Sequence, residues 1–286
     1  MLTAGCVGAL MAMVCPGYVS ARELPSGAQY VALGSSYASG PGLPDMVDGG
    51  CARSAHNYPH QVAASAGLEL VDVTCAGATT ANILRTPQSL AGGRTVPVQL
   101  DAVTERTRLV TVTIGGNDLG LAGSMIKASA CGRLLASVPA FCESVAGAKA
   151  RTRDDFDAVE SSIIAVVSAI EERAPQATVL LVQYLPALDS SGTTCSALTM
   201  TAAQAADIRR TYDGLVDATA RAANETGAKA IAAPNADAHS ACAVAPWVNG
   251  LLDPLTAPGG LASAVGSVHP NLAGTTAVAH EIIARL

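Results

Sequence analysis

Apolar positions recur along this chain in two rhythms. Short runs that are apolar at nearly every position, at 29–33, 68–75, 109–114, 178–184 and 228–232, read as strands. Longer stretches repeat every three to four residues and read as helices. The clearest spans 154–173, with Phe156, Val159, Ile163, Val166, Val167 and Ile170 on one face; 202–223 and 272–286 follow the same pattern. Asp155 and Asp157 at the start of the first of these, and Arg173 ahead of Pro175, mark its ends. Strands apolar throughout, rather than alternating, are expected where both faces of a sheet are covered, which is the parallel arrangement. Strand and helix in alternation then predict a three-layer, doubly wound α/β fold of about five parallel strands, flavodoxin-like in class. No linker, repeat or charge block interrupts 25–286, so one domain is expected there.

Composition narrows the function classes. Of 286 residues, 14% are charged and 50% hydrophobic, against roughly 25% charged in ordinary soluble domains. Such a chain can bury a large core and is not a disordered one. The net charge of −6 and the lack of any Lys/Arg cluster argue against nucleic acid as a partner.

The first 21 residues are apolar and end in Val19-Ser20-Ala21, small residues where a signal peptidase prefers them. Residues 1–21 are therefore expected to be a signal peptide or an N-terminal anchor, with acylation at Cys6 as a further reading. The protein is expected to be secreted or associated with the cell envelope, and a monomer. Setting Cys6 and Cys15 aside leaves Cys51, Cys75, Cys131, Cys142, Cys195 and Cys242. Sequential pairing is expected, because each bridge then clips one loop region. A metal site is not: the chain has no C-x-x-C, and these cysteines fall in separate loops.

In doubly wound sheets, chemistry gathers at the carboxyl ends of the strands. "GSSYASG" follows the first strand, where Gly34 allows a sharp turn that would expose the Ser36 hydroxyl and N–H. "TCAGATT" follows the second and offers an unobstructed Gly77 N–H. "GGND" follows the third and sets the Asn117 amide on the same rim. Near the C-terminus, "SVHPNLAG" places His269 just before the last helix, with Pro270 suited to its first turn. Each stretch alone also reads as an ordinary turn or helix cap, and the hydroxyl-rich first loop also suits a flavin or other phosphate. His56, His60, His239 and His280 read as structural.

Taken together and in this order, the four blocks resemble those of the SGNH hydrolases, the GDSL esterases and lipases. "CARSAHNYP" around Cys51 and "PWVNG" at 246–250 are similar to the actinobacterial secreted branch with its three disulfides. The resemblance implies the SGNH fold and a serine esterase or lipase that cleaves carboxylic esters through an acyl-enzyme. Ser36 would be the nucleophile and His269 the base, with Ser36, Gly77 and Asn117 as oxyanion donors. It implies no metal or organic cofactor, and an ester or lipid substrate. An O-deacylase of polysaccharide or envelope, or a non-catalytic envelope-binding relative, remains open on the same residues.

This chain departs from the family's pattern in two places. Ser35 stands where the first block usually has aspartate, which implies altered loop bonding. Gly266 stands where the family's catalytic acid commonly lies, three residues before the histidine. The Gly266 carbonyl is the expected substitute, with an approach by Asp237 or Asp253 as the other route.

Overall fold

The computed structural model describes residues 24–134, 150–253, 255–257 and 260–286. The expected leader at 1–21 and Cys142 lie outside them. Five strands form one parallel sheet: β1 (Gln29–Gly34), β2 (Glu69–Asp72), β3 (Thr107–Thr113), β4 (Thr178–Val182) and β5 (Lys229–Ile231). Their order across the sheet is β2-β1-β3-β4-β5, the flavodoxin-like order whose switch point lies between β1 and β3. All six residues of β1 are buried, as are six of the seven in β3. Strands enclosed on both faces have no use for polar alternation, which is why the sequence shows none.

The helices are α1 (Ser36–Ser39), α2 (Tyr58–Ala66), α3 (Thr80–Leu84), α4 (Leu121–Leu134), α5 (Arg153–Arg173), α6 (Ala202–Thr226) and α7 (Leu272–Ile283). Helix α2 packs on α7, and α5 on α6, with α3 and α4 joining the second pair. In α5 the side chains of Val159, Ile163, Val166, Val167 and Ile170 are the buried ones, matching the periodic face read from sequence; Phe156 is only partly buried. Thr152 and Asp155 form a reciprocal cap at its start. Helix α6 runs three residues beyond its expected end and stops at Gly227, whose φ of +77° suits glycine.

Two expected disulfides are formed, Cys51–Cys75 and Cys195–Cys242. Cys131 is disulfide-bonded as well; its expected partner, Cys142, is outside the described residues. Two small hairpins, Met46–Asp48 with Arg53–Ser54 and Gln88–Ser89 with Thr95–Val96, flank the carboxyl end of the sheet and were not legible in the hydrophobic pattern.

Candidate active site

Strand β1 ends in a backbone approach too close for a side chain. At Gly34, φ is +147°, and a Cβ would lie 2.6 Å from the Thr113 carbonyl oxygen of β3. The Gln99 side chain holds both polar groups of Gly34, accepting from its N–H at 2.8 Å and donating to its carbonyl at 3.0 Å. Ser35 N–H then donates to Thr113 O at 2.9 Å. This pinning delivers Ser36 to the start of the single-turn helix α1, which Gly40 ends at φ +80°.

His269 Nε2 lies 2.8 Å from Ser36 Oγ, although 233 residues separate them in sequence. His269 Nδ1 lies 2.7 Å from the backbone carbonyl of Ser267. A carbonyl only accepts, so Nδ1 carries the ring proton and Nε2 presents its lone pair to the serine hydroxyl. Burial pushes the His269 pKa down to about 4, and the Ser267 bond opposes that shift in part. The imidazole is therefore neutral at pH 7, as a base must be.

Expectation and structure differ at Gly266. Its carbonyl does not support the imidazole; it accepts from the Asn249 side chain at 3.1 Å and from the His269 backbone N–H at 3.2 Å. The chain turns at Val268, which has φ +58°, a rare conformation for a β-branched residue. The carbonyl that faces Nδ1 is that of Ser267, one residue later than expected. Asp237 is taken by Arg209, and Asp253 accepts from the Leu255 N–H at 2.8 Å. Among the described residues, no carboxylate bonds to His269.

The remaining expected donors sit in loops that are tied together. Gly77 is the third residue of the turn from Cys75 to Ala78, and neither its N–H nor that of Ser36 makes a hydrogen bond among the described residues. Asn117 spends one amide N–H on the Ala78 carbonyl at 2.9 Å, which leaves the other. Asp118 accepts from the Thr80 hydroxyl at 2.6 Å and so joins the Gly-Gly-Asn-Asp loop to the start of α3.

Several side chains at the site have no signal in the sequence pattern. Tyr184 OH accepts from the Gly116 N–H at 3.2 Å and shares a 2.7 Å bond with Ser35 Oγ. Ser35, in the position where aspartate is usual, thus has a phenol for partner. Gly116 has to be glycine, because a Cβ there would fall 2.7 Å from the Tyr184 ring. Tyr37 packs between Tyr184 and His269, with ring centroids 4.4 and 5.5 Å away, and donates to the Val268 carbonyl at 2.8 Å. The "PWVNG" segment is likewise structural support: Asn249 N–H donates to His269 O at 2.9 Å, and Asn271, the cap of α7, bonds to Pro246 and Trp247.

The other histidines have other partners. His56 is paired with Asp45, His60 with Asn57, and His239 is stacked on Trp247 at 3.9 Å. Ser39, three residues after Ser36, has its Oγ buried with no partner and no base beside it.

A sequence profile described as the GDSL-like Lipase/Acylhydrolase family matches residues 32–277, from β1 into α7. The chain belongs to that family. Lipase 2 of Streptomyces coelicolor is 34% identical over 262 residues, a match covering 88% of this chain and 83% of that protein. The crystal structure of the extracellular lipase from Streptomyces rimosus superposes with a TM-score of 0.65 at 28% identity, covering 91% of this chain and 98% of that one. Phospholipase A1 from Streptomyces albidoflavus superposes with a TM-score of 0.66 at 26% identity and the same coverage. As a GDSL-like acylhydrolase this chain is a carboxylic ester hydrolase, with the α/β fold that its strand pattern implied.

Proposed function

We propose that this protein is a secreted serine esterase or lipase in which Ser36 and His269 form and hydrolyse an acyl-enzyme. The observation that carries the proposal is the 2.8 Å contact of Ser36 Oγ with an imidazole nitrogen whose protonation state the Ser267 carbonyl dictates. Ser36 Oγ attacks the ester carbonyl carbon as its proton passes to His269 Nε2. The negative charge moves to the former carbonyl oxygen, for which the free N–H groups of Ser36 and Gly77 and the second Asn117 N–H serve as donors. Collapse expels the alcohol, which takes the proton from Nε2. Water then repeats the cycle on the acyl-Ser36, releasing the acid.

The Ser267 carbonyl sets the tautomer and stabilises the transient imidazolium less than a carboxylate would, since it carries no charge. Export is supported by the disulfides, which persist in oxidising compartments, and by the relative described as extracellular. The test is turnover of wild type, Ser36→Ala and His269→Ala on a panel of p-nitrophenyl acetate, longer-chain esters, phospholipid and acetylated xylan. Loss of ester turnover in both variants is expected. Turnover unchanged in Ser36→Ala overturns the proposal, and preference for acetylated xylan assigns the same residues to polysaccharide deacylation.

A further inference from the structure

The Gly77 N–H belongs to the peptide that joins it to Ala76, the middle peptide of a four-residue turn closed by the Ala78 N–H on the Cys75 carbonyl at 3.1 Å. Gly77 has φ +83°, which places glycine where a type II turn needs it. Type I and type II turns differ chiefly by rotation of this middle peptide. In one orientation the Gly77 N–H faces one side of the turn, and in the other it faces the opposite side. The flanks cannot rotate freely, because Cys75 is in a disulfide and the Ala76 N–H donates to the Cys51 carbonyl at 2.9 Å. The middle peptide is the element left to be fixed.

Gln88 fixes it. From the hairpin outside the main sheet, its Nε2 donates to the Ala76 carbonyl at 2.7 Å. In a planar trans peptide the C=O and N–H point in opposite directions, so a bond that holds the oxygen also aims the N–H. The same bond polarises the peptide and makes its N–H a stronger donor. Stability does not account for this residue, because the other end of its amide, Oε1, is buried with no partner. An unpaired buried acceptor is destabilising. We infer that Gln88 is a positioning residue of the oxyanion hole, holding the Ala76–Gly77 peptide so that its N–H is presented to the ester oxygen. The inference rests on the proposed role of Gly77 as an oxyanion donor.

The experiment compares Gln88→Met and Gln88→Glu with wild type in the full-chain enzyme, reading kcat, KM, melting temperature and Ki for a trifluoromethyl ketone. The ketone's adduct with Ser36 places an oxyanion in the hole. Glutamate keeps the shape and removes the donor, and serves alone if the methionine variant does not fold. The expected result is a kcat lower by about 10- to 100-fold, short of the about 100- to 1000-fold loss typical when an oxyanion donor is deleted outright. KM stays unchanged, Ki rises by the factor that kcat falls, and Gln88→Met melts no lower than wild type. A kcat within about twofold of wild type in both variants overturns the inference, as does a loss confined to KM. Asn117→Ala separates the two levels of the argument. If it abolishes turnover while the Gln88 variants do not, only the role of Gln88 fails; if it is silent, the oxyanion hole itself is misassigned.

Discussion

Placing a carboxylate three residues before the histidine, by Gly266→Asp, is expected to damage this enzyme rather than improve it. A Cβ at Gly266 would lie 2.9 Å from the Pro41 carbonyl oxygen, 3.1 Å from the Ser263 carbonyl oxygen and 3.2 Å from Gly42 Cα. All three are backbone atoms, so no side chain can rotate away to make room. Overpacking of this kind costs about 1–3 kcal/mol, and a buried carboxylate without donors adds to it. In a domain of this size each kcal/mol lowers Tm by about 2–4 °C, so a fall of about 2–12 °C is expected from the steric term alone. The Gly266 carbonyl would also be displaced from Asn249, and with it the loop that aims His269. Thermal melting and kcat/KM on a p-nitrophenyl ester, measured on the same preparation, test this. An aspartate that did reach Nδ1 would stabilise the imidazolium and move the acid limb of the activity profile to higher pH. A variant that melts with wild type, turns over faster and shows that shift would refute the reasoning.

The pH profile of the wild type is a second test. His269 is neutral above its lowered pKa of about 4, so kcat/KM for an uncharged ester should stay level as pH falls through 6.5 and drop only at lower pH, whereas a midpoint at 6.5 contradicts the buried-base assignment. The same shift makes the folded state bind the proton less readily than the unfolded chain. The stability contributed by neutral His269 is present above pH 6.5 and lost as pH falls towards 4, a decline that Tm measured across this window should show. Tyr184→Phe leaves the Gly116 N–H and the Ser35 hydroxyl without a partner, for about 1–3 kcal/mol of stability and a reduced kcat, both read on one sample; unchanged melting would show that the phenol is dispensable. Replacing Cys51 and Cys75 by alanine removes about 2–4 kcal/mol by freeing the unfolded chain, and kcat should fall as well because the bridge is next to the Gly77 turn.

The sheet could be read from sequence because its strands are enclosed. Where every position of 109–113 packs on something apolar, the run itself is the signal. The α5 face was legible for a related reason, since one side of a helix packed on α6 repeats with the helical period. The small hairpins near the site are different. Residues 88–89 and 95–96 bury little, and what they contribute is a single amide to a backbone carbonyl. The positions of Ser36 and His269 followed from what comes after a strand and before a helix. The partner of the imidazole did not, because a backbone carbonyl has no residue type, and which carbonyl faces Nδ1 depends on the left-handed Val268. Tyr37 and Tyr184 read as core residues, and their hydroxyl bonds to Val268 and Ser35 depend on contacts across more than a hundred residues of chain.

The central claim is that one hydroxyl, that of Ser36, is made nucleophilic by His269. Reacting the protein with a fluorophosphonate and locating the adduct by peptide mass spectrometry measures this directly. The account predicts one modified residue, Ser36, with labelling abolished in His269→Ala and retained in a variant of the neighbouring Ser39. An adduct on Ser39, or labelling of Ser36 that proceeds unchanged without His269, would contradict it.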